Sequence, residues 1–162
     1  MGQIVMQFVE GSGFGSYMIK WYDHGLYSHV DTVLPDGTLL GARDDVIDGI
    51  PSGVQIRPAS YVAGETVLRV TIPCTDEQEA KYYASARSKI GCPYDEEAIA
   101  AFIVGRNWRD PGAWYCSEAN ADDLETSGLV PRLIAPANKI APDDLLLVIS
   151  ALVPISIPES TS

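Results

Sequence analysis

Residues 27–43 read YSHVDTVLPDGTLLGAR, two apolar-rich runs on either side of Asp36-Gly37. An Asp-Gly pair between such runs is the strongest short-range signal for a β-hairpin, because both residues accept the positive φ of tight hairpin turns. Taken as a two-residue loop, Asp36-Gly37 pairs Pro35 with Thr38, and the register behind it follows. Leu34 then faces Leu39, Asp31 faces Ala42 and His29 faces Asp44. The stretch predicts an antiparallel pair of strands with an imidazole on one and a carboxylate opposite it.

On the N-terminal side, QIVMQFV (3–9) reads as a strand, EGSGFGS (10–16) as a glycine loop and SYMIKWYDHG (16–25) as a short helix ended by Gly25. The glycines are not followed by a Lys-Ser/Thr pair, which argues against a phosphate loop. Downstream, GVQIRPA (53–59) and TVLRVTI (66–72) read as a further strand pair, with Pro73 ending the second. TDEQEAKYYASARSKIG (75–91) carries the signals of a helix: Thr75 and Gln78 for a capping box, Asp76 and Glu77 in the first turn, Gly91 to close. A second helix is predicted through DEEAIAAFIVG (95–105), capped by Asp95, and a third from near Cys116 to Gly128. Residues 141–157 fit either a helix begun at Pro142 or a strand. Early strands with later helices predict an α+β fold.

The chain has 162 residues, 46% of them hydrophobic and 20% charged, enough for one domain over 1–155 with a core that needs no staples, followed by a flexible tail at 156–162. A net charge of -11 with scattered lysines and arginines excludes nucleic acid as the main partner. The three cysteines, Cys74, Cys92 and Cys116, lack CxxC spacing, so neither a disulfide framework nor a zinc site is expected. The N-terminus has no basic head and long apolar core of an export signal. The most apolar run, 145–157, is interrupted by Pro154 and is shorter than the roughly 20 residues of a membrane span. A cytoplasmic protein with no integral membrane segment is the expectation.

Only two histidines are available to build a nucleophilic site. His24, at the predicted end of a helix, is accounted for by the helix dipole. His29 with Asp44 opposite is two members of a triad, a base and the acid that fixes its tautomer. A bulge would exchange Asp44 for Asp45, and Asp31 shares a face with His29 two residues along the strand. Among the cysteines, Cys116 opens a helix, where amide groups stabilise both a thiolate and an oxyanion. Cys74 also precedes a helix and remains a rival; Cys92 follows one and is the weakest. Glu118, Asp122 and Asp123 oppose a thiolate at Cys116, and a small buried hydrophobe is the plain alternative for that residue.

YSHVDTVLPDG, followed by GCPYD (91–95) and WYCSEANADDLETSGL (114–129), resembles the circularly permuted NlpC-type papain-like hydrolases, the YiiX-like group. In that group a strand histidine written S-H-V precedes a cysteine written C-S-E at a helix start; APDDLL (141–146) matches its closing motif, so the likeness runs over residues 3–148. The resemblance implies a permuted papain-like α+β fold, a small antiparallel sheet against helices, with Cys116 as nucleophile and His29 as general base. The group's third polar residue stands on the strand after the histidine. Here that strand reads LLGARDD (39–45), with glycine at 41, and Asp44 is taken as the third member from the hairpin register. The implied activity is that of a cysteine peptidase or amidase, cleaving an amide or acyl bond through an acyl-enzyme with no metal or organic cofactor. Its substrate would be a peptide, cell-wall peptides included, another amide or an acyl lipid. Acyl transfer to lipid-like substrates is one alternative, and a non-catalytic binding module, favoured by Gly41, is another. Trp114 and Tyr115 are expected to wall the cleft, and the N-terminal glycine loop to cover it.

Overall fold

A computed structural model describes residues 1–11, 25–97, 110, 112–133 and 136–154. The predicted glycine loop and helix at 10–25 fall largely outside these residues, as do most of the predicted helix at 95–105 and the tail at 156–162.

The strands β1 (Gly2–Glu10), β2 (His29–Val33), β3 (Leu39–Arg43), β4 (Gly53–Arg57) and β5 (Thr66–Cys74) form one antiparallel sheet in the order β4-β3-β2-β1-β5. Among the described residues the α-helices are α1 (Asp76–Ser88), α2 (Cys116–Ser127) and α3 (Pro142–Ser150). The fold is α+β. Among the described residues no helix is long and apolar enough to cross a membrane.

Alternation along the strands explains the layering. Ile4, Met6, Phe8, Val30, Leu68, Val70 and Ile72 join Tyr82, Tyr115, Leu124, Leu145 and Ile149 in the main core beneath the helices. On the intervening positions Val9, Val33 and Leu39 pack with Val62 of a 3-10 helix, Ala59–Val62, in the β4–β5 connection. Each such aliphatic side chain contributes about 1.5–3 kcal/mol on full burial.

The hairpin is present, but its register differs by one residue from the predicted one. Thr32 pairs with Leu40 and Val33 with Leu39. Leu34 N–H donates to the Thr38 carbonyl at 2.8 Å and Gly37 N–H to the Leu34 carbonyl at 2.8 Å, so the loop holds Pro35, Asp36 and Gly37. Gly37 sits at φ 85°, and the Asp36 carboxylate accepts from Thr38 N–H at 3.0 Å. This is the three-residue turn with a left-handed third position, which Pro-Asp-Gly suits as well as Asp-Gly suits the shorter one. A slip of one residue changes every cross-strand neighbour. Continued down the strands, it sets Asp31 beside Gly41, and His29 beside Arg43 instead of Asp44.

The strands predicted as a second pair do not pair with each other. β4 bonds to β3 and β5 to β1, at opposite edges of the sheet. Pro73 lies within β5, which tolerates it as an edge strand. The capping box of Thr75 and Gln78 starts α1, Gly128 at φ 73° closes α2, and the ambiguous C-terminal segment is the helix α3 with Pro142 in its first turn.

Candidate active site

His29 opens β2 and is buried, with its Nε2 atom 2.8 Å from Asp31 Oδ1. Residues two apart on a strand point the same way, so the acid comes from the histidine's own strand. The Asp31 carboxylate occupies the space over Gly41 that a β-carbon there would fill. Its second oxygen, Oδ2, accepts a short hydrogen bond from the Tyr61 hydroxyl, which also lies 3.0 Å from His29 Nε2. Tyr61 belongs to the 3-10 helix, and the Arg43 guanidinium stands over its ring, 5.2 Å from the centroid.

The charges in this cluster are mutually consistent. Burial works against charge on the His29 ring, but the Asp31 carboxylate and then Cys116 outweigh it and raise its pKa to about 10. Burial likewise opposes ionisation of Asp31, yet His29, Tyr61 and Arg43 hold it below the usual carboxylate range. Tyr61 is pushed up by burial and by Asp31, so it keeps its proton and donates it. Arg57, buried in β4, adds positive charge facing Asp31 while donating to the Gly41 carbonyl at 3.0 Å and to those of Pro51 and Gly53. An ionised carboxylate only accepts, so Nε2 must carry the proton toward Asp31.

The other partner is Cys116. Its side chain meets the His29 ring closely enough to raise the ring's pKa through a hydrogen bond and through charge. Cys116 is the first residue of α2, where amide groups have no intrahelical acceptor. Its position is tied back to the histidine strand. Asn120, one turn on, donates from Nδ2 to the Cys116 carbonyl at 2.8 Å, and its Oδ1 lies 2.9 Å from both the Thr32 and the Tyr82 hydroxyl. Thr32 is on β2, so one buried amide links the strand of the imidazole to the helix of the thiol. Tyr94 lies near Cys116 as well, and burial followed by that thiol holds its hydroxyl protonated.

The structure thus brings His29, Asp31 and Cys116 together. Asp44, the acid expected from the register, is exposed and makes no bond to His29; its charge is felt at Tyr94. The one-residue slip of the hairpin is the reason. Asp45 is also exposed and pairs with Arg43 at 2.7 Å. Cys74 sits at the end of β5, where burial and then Glu79 and Asp76 raise its pKa, the opposite of what a nucleophile needs. The Cys92 carbonyl accepts from Val54 N–H at 2.9 Å, packing GCPYD against β4 with Gly53 leaving room for it. His24 lies outside the described residues.

The residues expected to wall a cleft do other work. Trp114 places its ring under Lys89 Nζ at 4.7 Å. Tyr115 is buried and its hydroxyl donates to the carbonyls of Ala137 and Ile140 at 3.3 and 3.2 Å. Lys89 binds Asp122 at 2.8 Å and forms a short ion pair with Asp123, so two of the acids that would oppose a thiolate share one cation. Sequence reasoning missed Tyr61, which no motif marks, and Asn120, whose spacing of four from Cys116 is a legible helical signal. Among the described residues no cluster of three His, Cys, Asp or Glu side chains is placed to hold a metal ion. Comparison of the chain with protein-family models and with curated proteins finds no match to either.

Proposed function

We propose that this chain is a cysteine hydrolase of permuted papain-like type, acting on an amide or acyl bond with Cys116 as nucleophile, His29 as base and Asp31 as the acid that orients it. The observation that carries the reading is the buried His29 ring, engaged by Asp31 at Nε2 and by Cys116 from a helix start. A lone buried histidine needs one partner. Here the ring has both an acid and a thiol as partners, an arrangement that favours proton transfer from sulfur to the ring. Glycine at 41, the feature that favoured a non-catalytic module, is matched by an acid from the neighbouring strand.

The chemistry follows from these positions. The Cys116 thiolate attacks the substrate carbonyl carbon, and the Cys116 amide donates to the oxygen that becomes negative. The tetrahedral adduct collapses, the leaving amine or alkoxide takes the proton from His29, and a thioester remains on Sγ. Neutral His29 then draws a proton from water, whose oxygen attacks the thioester and releases the acid with the thiol restored.

The test is mass spectrometry of the intact protein after mixing with an activated ester such as p-nitrophenyl acetate. Acyl mass on the peptide containing Cys116, lost in Cys116→Ser and slowed in His29→Ala, supports the reading. Acylation spread over the cysteines irrespective of His29 would sink it.

A further inference from the structure

We propose that Tyr61 is a positioning residue of this site: its hydroxyl locks the Asp31 carboxylate against the imidazole and shares the Nε2 proton with it. The inference rests on the catalytic reading above and extends it to a residue on a different element. The connection from β4 to β5 needs only to cross from one sheet edge to the other, yet it folds into the 3-10 helix Ala59–Val62 and inserts a tyrosine beside β2.

Two contacts define the role. The hydroxyl donates to Asp31 Oδ2 while Oδ1 takes His29 Nε2, so both carboxylate oxygens are held and the group cannot turn about its last bond. The same hydroxyl oxygen lies 3.0 Å from Nε2, with its lone pair free to accept because its proton is committed to Asp31. The need for such a hold is local. Gly41 has no side chain to press on the carboxylate, and an acid on the histidine's own strand receives no support from an opposing one. Packing does not account for the hydroxyl, since Val62 anchors the 3-10 helix among Val9, Val33 and Leu39 and the Tyr61 ring lies under Arg43.

Titratable and charged groups face this unit from several elements. His29 and Asp31 come from β2, Arg43 from β3 with Asp45 beyond it, Arg57 from β4 and Cys116 from α2. Substituting Tyr61 by Phe leaves all of them in place and removes one oxygen.

The experiment is the rate of iodoacetamide alkylation of Cys116 against pH, mapped by peptide mass on the full chain. Wild type, Tyr61→Phe, His29→Ala and Val62→Ala are compared, each with its thermal midpoint. Wild type is expected to show a lower alkylation midpoint than His29→Ala. Tyr61→Phe should move it up by about one pH unit, the worth of one hydrogen bond to a charged group. Val62→Ala should lower the thermal midpoint and leave the alkylation midpoint in place. A Tyr61→Phe profile that superimposes on wild type, or a Val62→Ala shift of equal size, overturns the inference while the catalytic reading stands. A wild-type profile identical to that of His29→Ala overturns the catalytic reading itself. An independent check uses Asp31→Asn: added to it, Tyr61→Phe should bring no further shift, whereas additive shifts would show that the hydroxyl does not act through Asp31.

Discussion

The carboxylate of Asp31 fills the space above Gly41 that any larger residue would claim for its β-carbon. Gly41 does not have a positive φ, so alanine fits its backbone and the only conflict is with the carboxylate. Gly41→Ala is therefore expected to push Asp31 off His29 and, on the proposed mechanism, to slow acylation of Cys116 by about a hundredfold, the lower range for losing a well-placed acid or base. Asp31→Ala combined with Gly41→Asp moves the acid to β3 and should recover part of the loss. Unslowed acylation in Gly41→Ala would show that the close approach has no bearing on the site.

The pKa of His29, raised to about 10, makes a claim about pH and stability. Its folded value lies above the unfolded value of about 6.5, so the stability from the charged ring is complete below about pH 6.5 and is lost as pH rises through about 10. Asp31 shifts the other way, and its contribution is lost as pH falls through its depressed value. The thermal midpoint of wild type minus that of His29→Gln should be largest near neutrality and shrink toward alkaline pH. A difference that stays constant between about pH 7 and about pH 10.5 contradicts the charged ring.

Asn120 joins β2 to the start of α2, and its loss is expected to be felt at both ends. Asn120→Ala leaves the Thr32 and Tyr82 hydroxyls, 2.7 Å apart, without their shared acceptor and removes the side-chain donor to the Cys116 carbonyl. Each hydrogen bond lost costs about 0.5–1.5 kcal/mol. Urea unfolding should show a lower midpoint with an unchanged slope, and Cys116 alkylation at neutral pH should slow. A midpoint equal to that of wild type would mean that water replaces the amide.

Much of the fold was legible because it rests on local signals. The capping box at Thr75, the glycine after α2 and the proline at the start of α3 are each read within a few residues. The hairpin was legible as a hairpin but not in register, because Pro-Asp-Gly supports loops of two or three residues and only the sheet decides between them. That single residue is why Asp44 was preferred to Asp31. The pairing of β4 and β5 with opposite edges was not legible either, since sequence neighbours usually pair and nothing local opposes it. His29 stood out as one of only two histidines and Cys116 by its place at a helix start, whereas Tyr61 reaches the site through tertiary packing alone.

Asp143 explains a motif that the sequence offered without a reason. Its two carboxylate oxygens accept from the Leu26 and Tyr27 amides at 3.2 and 3.0 Å, fixing the chain just before it enters β2 at His29. Tyr27 then packs edge-on to Phe8, with ring centroids 5.9 Å apart, and Ser28 N–H donates to the Val9 carbonyl at 3.0 Å. A carboxylate taking two backbone donors is also favoured at the first turn of α3 by the helix dipole. Asp143→Ala should release both amides, and their hydrogen exchange should quicken by at least about tenfold, as expected for loss of a charge-assisted hydrogen bond of about 1.5 kcal/mol or more. Asp143→Asn keeps one acceptor oxygen and should fall between the two. The alkylation midpoint of Cys116 should move little in either variant, because Asp31 and Tyr61 still hold the ring, while its rate at a fixed pH declines as the entry to β2 loosens. Exchange at Leu26 and Tyr27 unchanged in Asp143→Ala would mean that the sheet alone fixes this segment, and the PDD sequence would again lack a physical reason.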